Sequence, residues 1–130
     1  MIGYHENLIE IVLENTNFRT VLYTARHLQL VAMSLKPGEE IGEETHQLID
    51  QFFSIEKGTG ICSINGTIKL LKTGGSLLIP AGTLHNIVNN SLTKPLKLYT
   101  FYAPPNHADK VVRTTKQEAN EIPEKFDGKI

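Results

Sequence analysis

The apolar residues of this chain occur in short runs that end at glycine, proline or asparagine, and this pattern constrains the fold more than any other sequence feature. Most runs are rich in β-branched or aromatic residues, which favours strands. The runs are IEIVL, RTVLYTA, LQLVAMSL, QFFSI, GICSI, GTIKLL, SLLI, HNIVN and PLKLYTFYA. Because the connections between them are mostly short, we expect an all-β fold, an antiparallel sandwich or barrel.

One connection predicts a specific turn. Asn65-Gly66 separates two of the runs, and both positions tolerate positive φ, as a two-residue hairpin requires. After Pro104-Pro105 charged residues replace the apolar runs. We therefore predict a barrel domain over residues 1–108 and a C-terminal helix and charged tail over residues 109–130.

The tail contains a helix start signal. Thr115 is followed three residues later by Glu118, which is a capping-box pattern. It predicts a short helix from Lys116 to Glu121, ended before Pro123.

Composition and charge exclude several classes of protein. The 130 residues, 40% of them apolar, suit one domain. Thirteen basic residues against 14 acidic ones provide no excess positive charge to attract a nucleic acid. The N-terminal segment lacks the basic start and apolar core of a signal peptide, and no run approaches the ~18 apolar residues of a membrane span. We expect a cytoplasmic protein with no nucleic-acid or membrane partner.

Several residues with reactive side chains have a structural interpretation. Cys62 lies in a predicted strand without an adjacent basic residue, so we expect a core side chain and not a reactive thiol. His5, His27 and His107 stand among ordinary neighbours, which indicates surface or hydrogen-bonded structural imidazoles.

The other two histidines lie near further polar groups. Glu44 and His46 share a face if their segment is extended, because strand side chains alternate. Gln51 and His85 each begin an apolar run, so four oxygen or nitrogen donors could converge from different strands. Spacing alone leaves open the alternative that Glu44 belongs to a solvated acidic loop and that Gln51 and His85 are ordinary strand ends.

Two spaced motifs decide between these alternatives. The first consists of Gly38, Glu44, His46, Gln51 and Gly58, and it resembles the first motif of the cupin superfamily, with Glu44 replacing a histidine and Gln51 replacing a glutamate. The second motif of that superfamily is matched at every position, by the residues Gly74, Pro80, Gly82, His85 and Asn89.

The resemblance implies a small antiparallel jelly-roll β-barrel that holds one divalent transition metal ion at Glu44, His46, Gln51 and His85. Imidazole with oxygen donors suits zinc, iron, manganese, nickel, cobalt or copper. The donor set also resembles the ligand inventory of cupin mannose-6-phosphate isomerases, with the amide and the carboxylate at exchanged positions. The family resemblance further suggests a homodimer, to which the N-terminal run LIEIVL could contribute an edge strand.

Residues around these ligands predict the pocket. If Gln51 points inward, alternation also directs Phe53 inward, and Tyr102 faces inward on the last long run. Both are candidate substrate-binding residues, with simple core packing as the alternative. Residues 36–58 carry six acidic and two basic side chains, which is compatible with an acidic mouth that favours cations. For every acidic residue except Glu44, a solvated loop that aids solubility is an equally good interpretation.

Three functions are compatible with these features. The first is a metalloenzyme acting on a small polyoxygenated, sugar-like molecule by Lewis-acid chemistry such as isomerisation, or by dioxygenase chemistry if the metal is redox-active. The second is a non-enzymatic cupin that binds a small molecule through its metal. The third is a purely structural or interaction role, against which the two motif histidines argue, because folding does not require them. The catalytic residues remain unassigned.

Overall fold

The computed structural model describes residues 2–130, in which one helix precedes a succession of strands and a second helix follows them. In chain order the elements are α1 (Leu8–Glu14), β1 (Arg19–Thr24), β2 (Gln29–Leu35), β3 (Asp50–Lys57), β4 (Thr59–Ile64), β5 (Thr67–Lys72), β6 (Ser76–Ile79), β7 (His85–Val88), β8 (Leu96–Ala103), β9 (Val112–Arg113) and α2 (Lys116–Glu121).

The strands form two antiparallel sheets, which confirms the predicted jelly-roll barrel. The larger sheet has the strand order β6-β3-β8-β2-β1-β9, and the smaller has the order β5-β4-β7. Neighbours in space are mostly distant in sequence, as in β3 beside β8, so the chain crosses repeatedly between the sheets. The β4–β5 connection is the predicted hairpin, in which Asn65 and Gly66 have φ values of 49° and 85°.

Side chains from both sheets form one core, and strand alternation decides which ones enter it. On β3 every second residue from Gln51 to Ile55 is buried, so Phe53 points inward as predicted. On β8, Tyr102 also points inward. Cys62 belongs to the same core, where burial raises the pKa of its thiol, in agreement with its structural interpretation.

The prediction of an N-terminal strand is wrong, because residues Leu8–Glu14 form helix α1. Asn7 caps the helix by accepting a hydrogen bond from the Glu10 amide at 3.2 Å. Val12 is fully buried while Ile9 stays exposed, as expected for a helix with one inward face. The helix lies against β3 and β8, so this run cannot supply an edge strand to a second copy.

The C-terminal segment continues the barrel. Helix α2 has the predicted limits, and the Thr115 hydroxyl accepts a hydrogen bond from the Glu118 amide at 3.0 Å. Before it, β9 pairs with β1 at the edge of the larger sheet. The boundary between residues 1–108 and 109–130 stays a prediction. Across residues 2–130, no helix is long and apolar enough to cross a lipid bilayer.

Candidate metal centre

Three of the four predicted ligands meet at one end of the barrel. Ligand atoms of Glu44, His46 and His85 all lie within 4.8 Å of one another. Nε2 of His46 is 3.0 Å from a carboxylate oxygen of Glu44, and the two imidazole centroids are 5.7 Å apart. These three groups are therefore placed so that they could hold one metal ion.

Backbone hydrogen bonds hold Glu44 opposite His85. The Glu44 amide donates to the His85 carbonyl at 2.9 Å, and the His85 amide donates to the Glu44 carbonyl at 3.0 Å. The turn before His85 is attached to the same segment, because the Gly82 amide donates to the His46 carbonyl at 2.8 Å. Gly82 has a φ of 82°, which glycine adopts without strain. The glycine of the second motif therefore helps to place the candidate ligands of the first.

A backbone carbonyl orients the His85 imidazole. Nδ1 of His85 lies 2.9 Å from the Thr83 carbonyl oxygen, which can only accept a hydrogen bond, so Nδ1 carries the proton. In the neutral form of the imidazole Nε2 then bears a free lone pair. It is buried and has no hydrogen-bond partner within residues 2–130. A neutral imidazole held by its second nitrogen is the usual arrangement of a metal-binding histidine.

Gln51 presents a second unsatisfied acceptor. It is nearly fully buried at the start of β3, and its Nε2 donates to the Thr100 hydroxyl at 3.0 Å. Its Oε1 is buried and has no hydrogen-bond partner in the described part of the chain. A buried acceptor left unpaired costs about 1–3 kcal/mol, so both atoms are suited to binding a cation.

The electrostatic surroundings keep Glu44 ionised. Burial by itself would raise its pKa, but the hydrogen bond to His46, the charge of Arg19 and, whenever they are protonated, the charges of His46 and His85 lower it. An ionised carboxylate is the form that binds a metal ion.

Phe53 and Tyr102, the predicted substrate-binding residues, lie beside the imidazoles. The Phe53 ring is 6.2 Å from the His85 ring, and the Tyr102 ring is 5.8 Å from the His46 ring, both edge to face. Both residues are buried and belong to the core cluster. They form the inner wall behind the ligands, and their contact with a substrate stays a prediction.

A cavity of about 490 Å³ opens beside Glu44 and His46, two of the candidate ligands. Its charged lining side chains are Arg19, Glu44, Glu124 and Lys125. The predicted acidic mouth is therefore not formed, because of the acidic residues between 36 and 58 only Glu44 lines this cavity. The others include Asp50, which accepts a hydrogen bond from the Ala81 amide, and Glu39, which accepts one from the Lys36 amide.

Sequence reasoning missed a second cluster at the same cavity. Glu124 of the C-terminal tail accepts hydrogen bonds from Nδ1 of His107 and from the Ala108 amide, both at 2.7 Å, and it forms an ion pair with Arg19 at 3.3 Å. Nε2 of His107 is 3.2 Å from the Tyr102 hydroxyl, which connects the cluster to the inner wall. The tail thus lies beside the site. No motif signals these residues, although His107 is hydrogen-bonded as predicted, and His5 and His27 are exposed.

Gln29 fixes the position of His107. Its side chain is fully buried, and Oε1 accepts hydrogen bonds from the backbone N–H groups of His107 at 2.9 Å and Asn106 at 3.1 Å. Its Nε2 donates to the His107 carbonyl at 2.8 Å and to the Thr24 hydroxyl at 2.9 Å. Because all of these groups are paired within the barrel, the backbone that carries His107 is well constrained.

The His107–Glu124 pair predicts a loss of stability in acid. Burial lowers the pKa of His107, against an opposing hydrogen bond to Glu124, so the folded protein disfavours the protonated imidazole. Burial by itself would raise the pKa of Glu124, but the His107 and Ala108 hydrogen bonds and Arg19 lower it. Both groups contribute fully to the free energy of unfolding at high pH. The contribution of His107 decreases as the pH falls below about 6.5, which is the pKa of a histidine in the unfolded chain. The contribution of Glu124 decreases as the pH falls below about 4.3, which is the pKa of a glutamate in the unfolded chain.

Urea unfolding of metal-free protein between pH 8 and pH 4 measures this effect. We expect the free energy of unfolding to fall on acidification, and the fall between pH 7 and pH 5 to be smaller in His107→Gln. An equal fall in both proteins would contradict the assignment.

Comparison with known proteins agrees with this architecture. The sequence profile of the cupin domain family matches residues 31–102. The uncharacterized protein YrkC of Bacillus subtilis is 44% identical over 112 residues, which cover 82% of this chain and 60% of YrkC. The uncharacterized protein L612 of Acanthamoeba polyphaga mimivirus is 47% identical over 108 residues, which cover 80% of this chain and 67% of L612. The chain thus spans less than two thirds of the length of YrkC.

Solved structures show the same fold. The crystal structure of BH2720 from Bacillus halodurans has a TM-score of 0.89 and 36% identity, covering 92% of this chain and 95% of that protein. The crystal structure of TT1209 from Thermus thermophilus has a TM-score of 0.69 and 21% identity, covering 78% of this chain and 98% of that protein. At that lower identity the likeness concerns the fold alone.

Proposed function

The chain belongs to the cupin domain family, and on that premise we propose that it is a divalent-metal-dependent enzyme acting on a small polyoxygenated, sugar-like molecule. In this proposal Glu44, His46, Gln51 and His85 hold the ion, and the adjoining cavity of about 490 Å³ receives the substrate. A cavity of this size suits a small molecule.

The observation that carries the proposal is the pair of orphaned acceptors. Nε2 of His85 and Oε1 of Gln51 are both buried and unpartnered in the described residues, beside an ionised carboxylate. An apolar core would not retain two such atoms without a counterpart, because each costs free energy when it is removed from water. A cation bound by both removes that cost. A purely structural role offers no reason for this arrangement.

Residues of this chain prepare the site for an ion. The Thr83 carbonyl holds His85 in the tautomer that leaves Nε2 free, and the Thr100 hydroxyl occupies the amide nitrogen of Gln51, which leaves the oxygen available. When bound, the ion would supply Lewis acidity toward a carbonyl or hydroxyl oxygen, which is the chemistry of an isomerisation.

Tyr102 is a hydrogen-bond donor in this proposal and not a base. Burial raises the pKa of its phenol, and the charge of Glu44 raises it further, so the hydroxyl stays protonated at neutral pH. That hydroxyl donates to Nε2 of His107, because Nδ1 of His107 is the nitrogen that donates to Glu124.

Metal analysis of the purified protein tests the proposal. We expect about one divalent ion per chain and, after removal by EDTA, a lower melting temperature that the same metal restores, because an ion that binds only the folded state stabilises it. Protein that neither contains metal nor gains thermal stability from zinc, manganese, nickel, cobalt, copper or iron would refute it. Iron would favour the dioxygenase alternative over Lewis-acid chemistry. A metal-loaded protein without turnover would favour the small-molecule-binding alternative.

We further propose a homodimeric assembly on the family resemblance, with an interface that does not depend on an N-terminal strand. Size-exclusion chromatography with light scattering measures it, and a monomeric mass would contradict it.

A further inference from the structure

We propose that Arg19 binds a carboxylate of the substrate, so that the molecule recognised at this site is a small sugar acid or hydroxy acid and not a neutral polyol. The inference rests on the proposed function, because it places the carboxylate beside the metal-bound end of the same ligand. It narrows the substrate class and adds a specificity residue from outside both motifs.

Arg19 lies at the site although it belongs to neither motif. It is the first residue of β1, and its side chain lines the same cavity as Glu44 and His46. Only 13% of the side chain is exposed, which is unusual for a guanidinium that lacks a full set of partners.

The hydrogen bonds of this guanidinium are incomplete. Of its five N–H donors, the bond from Nη1 to Glu124, at 3.3 Å, is the one it forms within residues 2–130. Its Nε is buried and has no partner among the described residues. The Phe18 ring, whose centroid is 5.6 Å from Cζ of Arg19, offers the buried Nε no oxygen acceptor, so this donor is stabilised by an additional anion.

Glu124 does not supply the anion that the unpaired donors of Arg19 lack. Its two oxygens already accept shorter hydrogen bonds, from His107 and from the Ala108 amide, both at 2.7 Å. The contact with Arg19 is the longest of the three, and it engages one nitrogen only. The paired donors of a guanidinium prefer both oxygens of one carboxylate, so capacity remains for a second carboxylate.

The net charge of the cavity also favours an anionic substrate. Glu44 and Glu124 balance Arg19 and Lys125, so the lining side chains are neutral in sum when the histidines are neutral. A bound divalent ion then gives the cavity two positive charges, which favours an anionic ligand over a neutral one. Within the described residues the lining contains one arginine and no helix N-terminus, which suits a carboxylate better than a phosphate.

Calorimetric titration of the Zn²⁺-loaded protein with two matched compounds tests the inference. Gluconate and sorbitol differ only in whether one terminal carbon is a carboxylate or an alcohol. We expect wild-type protein to bind gluconate about 10- to 100-fold more tightly than sorbitol, as a charge-assisted hydrogen-bonded pair provides. Arg19→Gln should lose this preference, and Arg19→Lys should keep part of it.

Arg26→Gln is the matched control, because Arg26 is an exposed arginine outside the cavity, and its preference should equal that of wild type. Zinc content and melting temperature are measured for each variant, and Arg19→Lys keeps the test interpretable if Arg19→Gln does not fold. Wild type without a preference for gluconate, an unchanged preference in a folded Arg19→Gln, or tighter binding of inorganic phosphate than of gluconate would each overturn the inference. If wild type takes up another of the divalent ions named above in place of zinc, the titrations are run with that ion. Wild type that binds none of them would overturn the proposed function instead, and the inference with it.

Discussion

Replacing His46 and His85 together with alanine should reduce the bound metal from about one ion per chain to less than about a tenth, with an affinity loss of more than about a hundredfold. Loss of a single group that only orients a ligand already weakens metal binding by about 10- to 100-fold, so loss of two ligands must exceed that. The two imidazoles lie on different segments, and each contributes a ligand atom to the group of three within 4.8 Å. Elemental analysis and competition with a chromogenic chelator measure the effect.

The matched control is the double variant His5→Ala and His27→Ala, which removes two exposed histidines and should keep the wild-type metal content. Far-ultraviolet circular dichroism should remain β-rich in both double variants, because neither motif imidazole belongs to the apolar core cluster. Wild-type metal content in a folded His46 and His85 double variant would show that the ion binds elsewhere.

The Gly58→Ala substitution should lower the free energy of unfolding by about 3–5 kcal/mol, a large share of the ~5–15 kcal/mol that stabilises a typical domain. A Cβ atom at this position would lie 2.5 Å from the Pro95 carbonyl oxygen, which belongs to the backbone and cannot rotate away. The φ of 101° is also a conformation that L-residues rarely adopt. Two costs therefore add, a steric overlap and a backbone strain.

A substitution at Gly66 shows how much of the loss comes from backbone strain alone. Its φ is 85°, but a Cβ atom there would meet no atom within 4 Å, so Gly66→Ala carries backbone strain alone and should cost about 1–2 kcal/mol. Urea unfolding of both variants measures the difference. Equal losses in the two proteins would show that the approach of Gly58 to Pro95 does not matter.

The sequence predicted the barrel because its strands carry their own signals. Period-two burial on β3, the Asn65-Gly66 hairpin and the cap of α2 are all local features, and each appears at the predicted place. The N-terminal run was misjudged because two periods coincide in it. Ile9, Ile11 and Leu13 alternate as in a strand, whereas Leu8, Ile11 and Val12 have helical spacing, and packing against β3 and β8 favoured the helix.

Part of the candidate site was likewise predicted from the sequence, and part of it became visible only in the structure. Motif spacing predicted that Glu44, His46 and His85 would approach one another, and the structure places their ligand atoms together. Arg19 and Glu124 are 105 residues apart and follow no motif, so nothing in the sequence predicted that they would meet at the same cavity. The acidic composition around Glu44 suggested an acidic mouth, but composition does not specify which carboxylates turn toward a cavity.

The order of apolar and turn residues by itself predicted an antiparallel sandwich or barrel, and the resemblance of two motifs to those of cupins implied a donor set of one carboxylate, one amide and two imidazoles. Only the tertiary structure decided which nitrogen of His85 is free, that the side-chain oxygen of Gln51 is unpaired, and that the C-terminal tail brings Glu124 to the cavity lined by Glu44 and His46. The physical reason is the separation along the chain of the residues on which each property depends. Side-chain alternation and turn conformation depend on neighbouring residues, whereas hydrogen-bond satisfaction and cavity charge depend on groups that become neighbours only after the strands have paired.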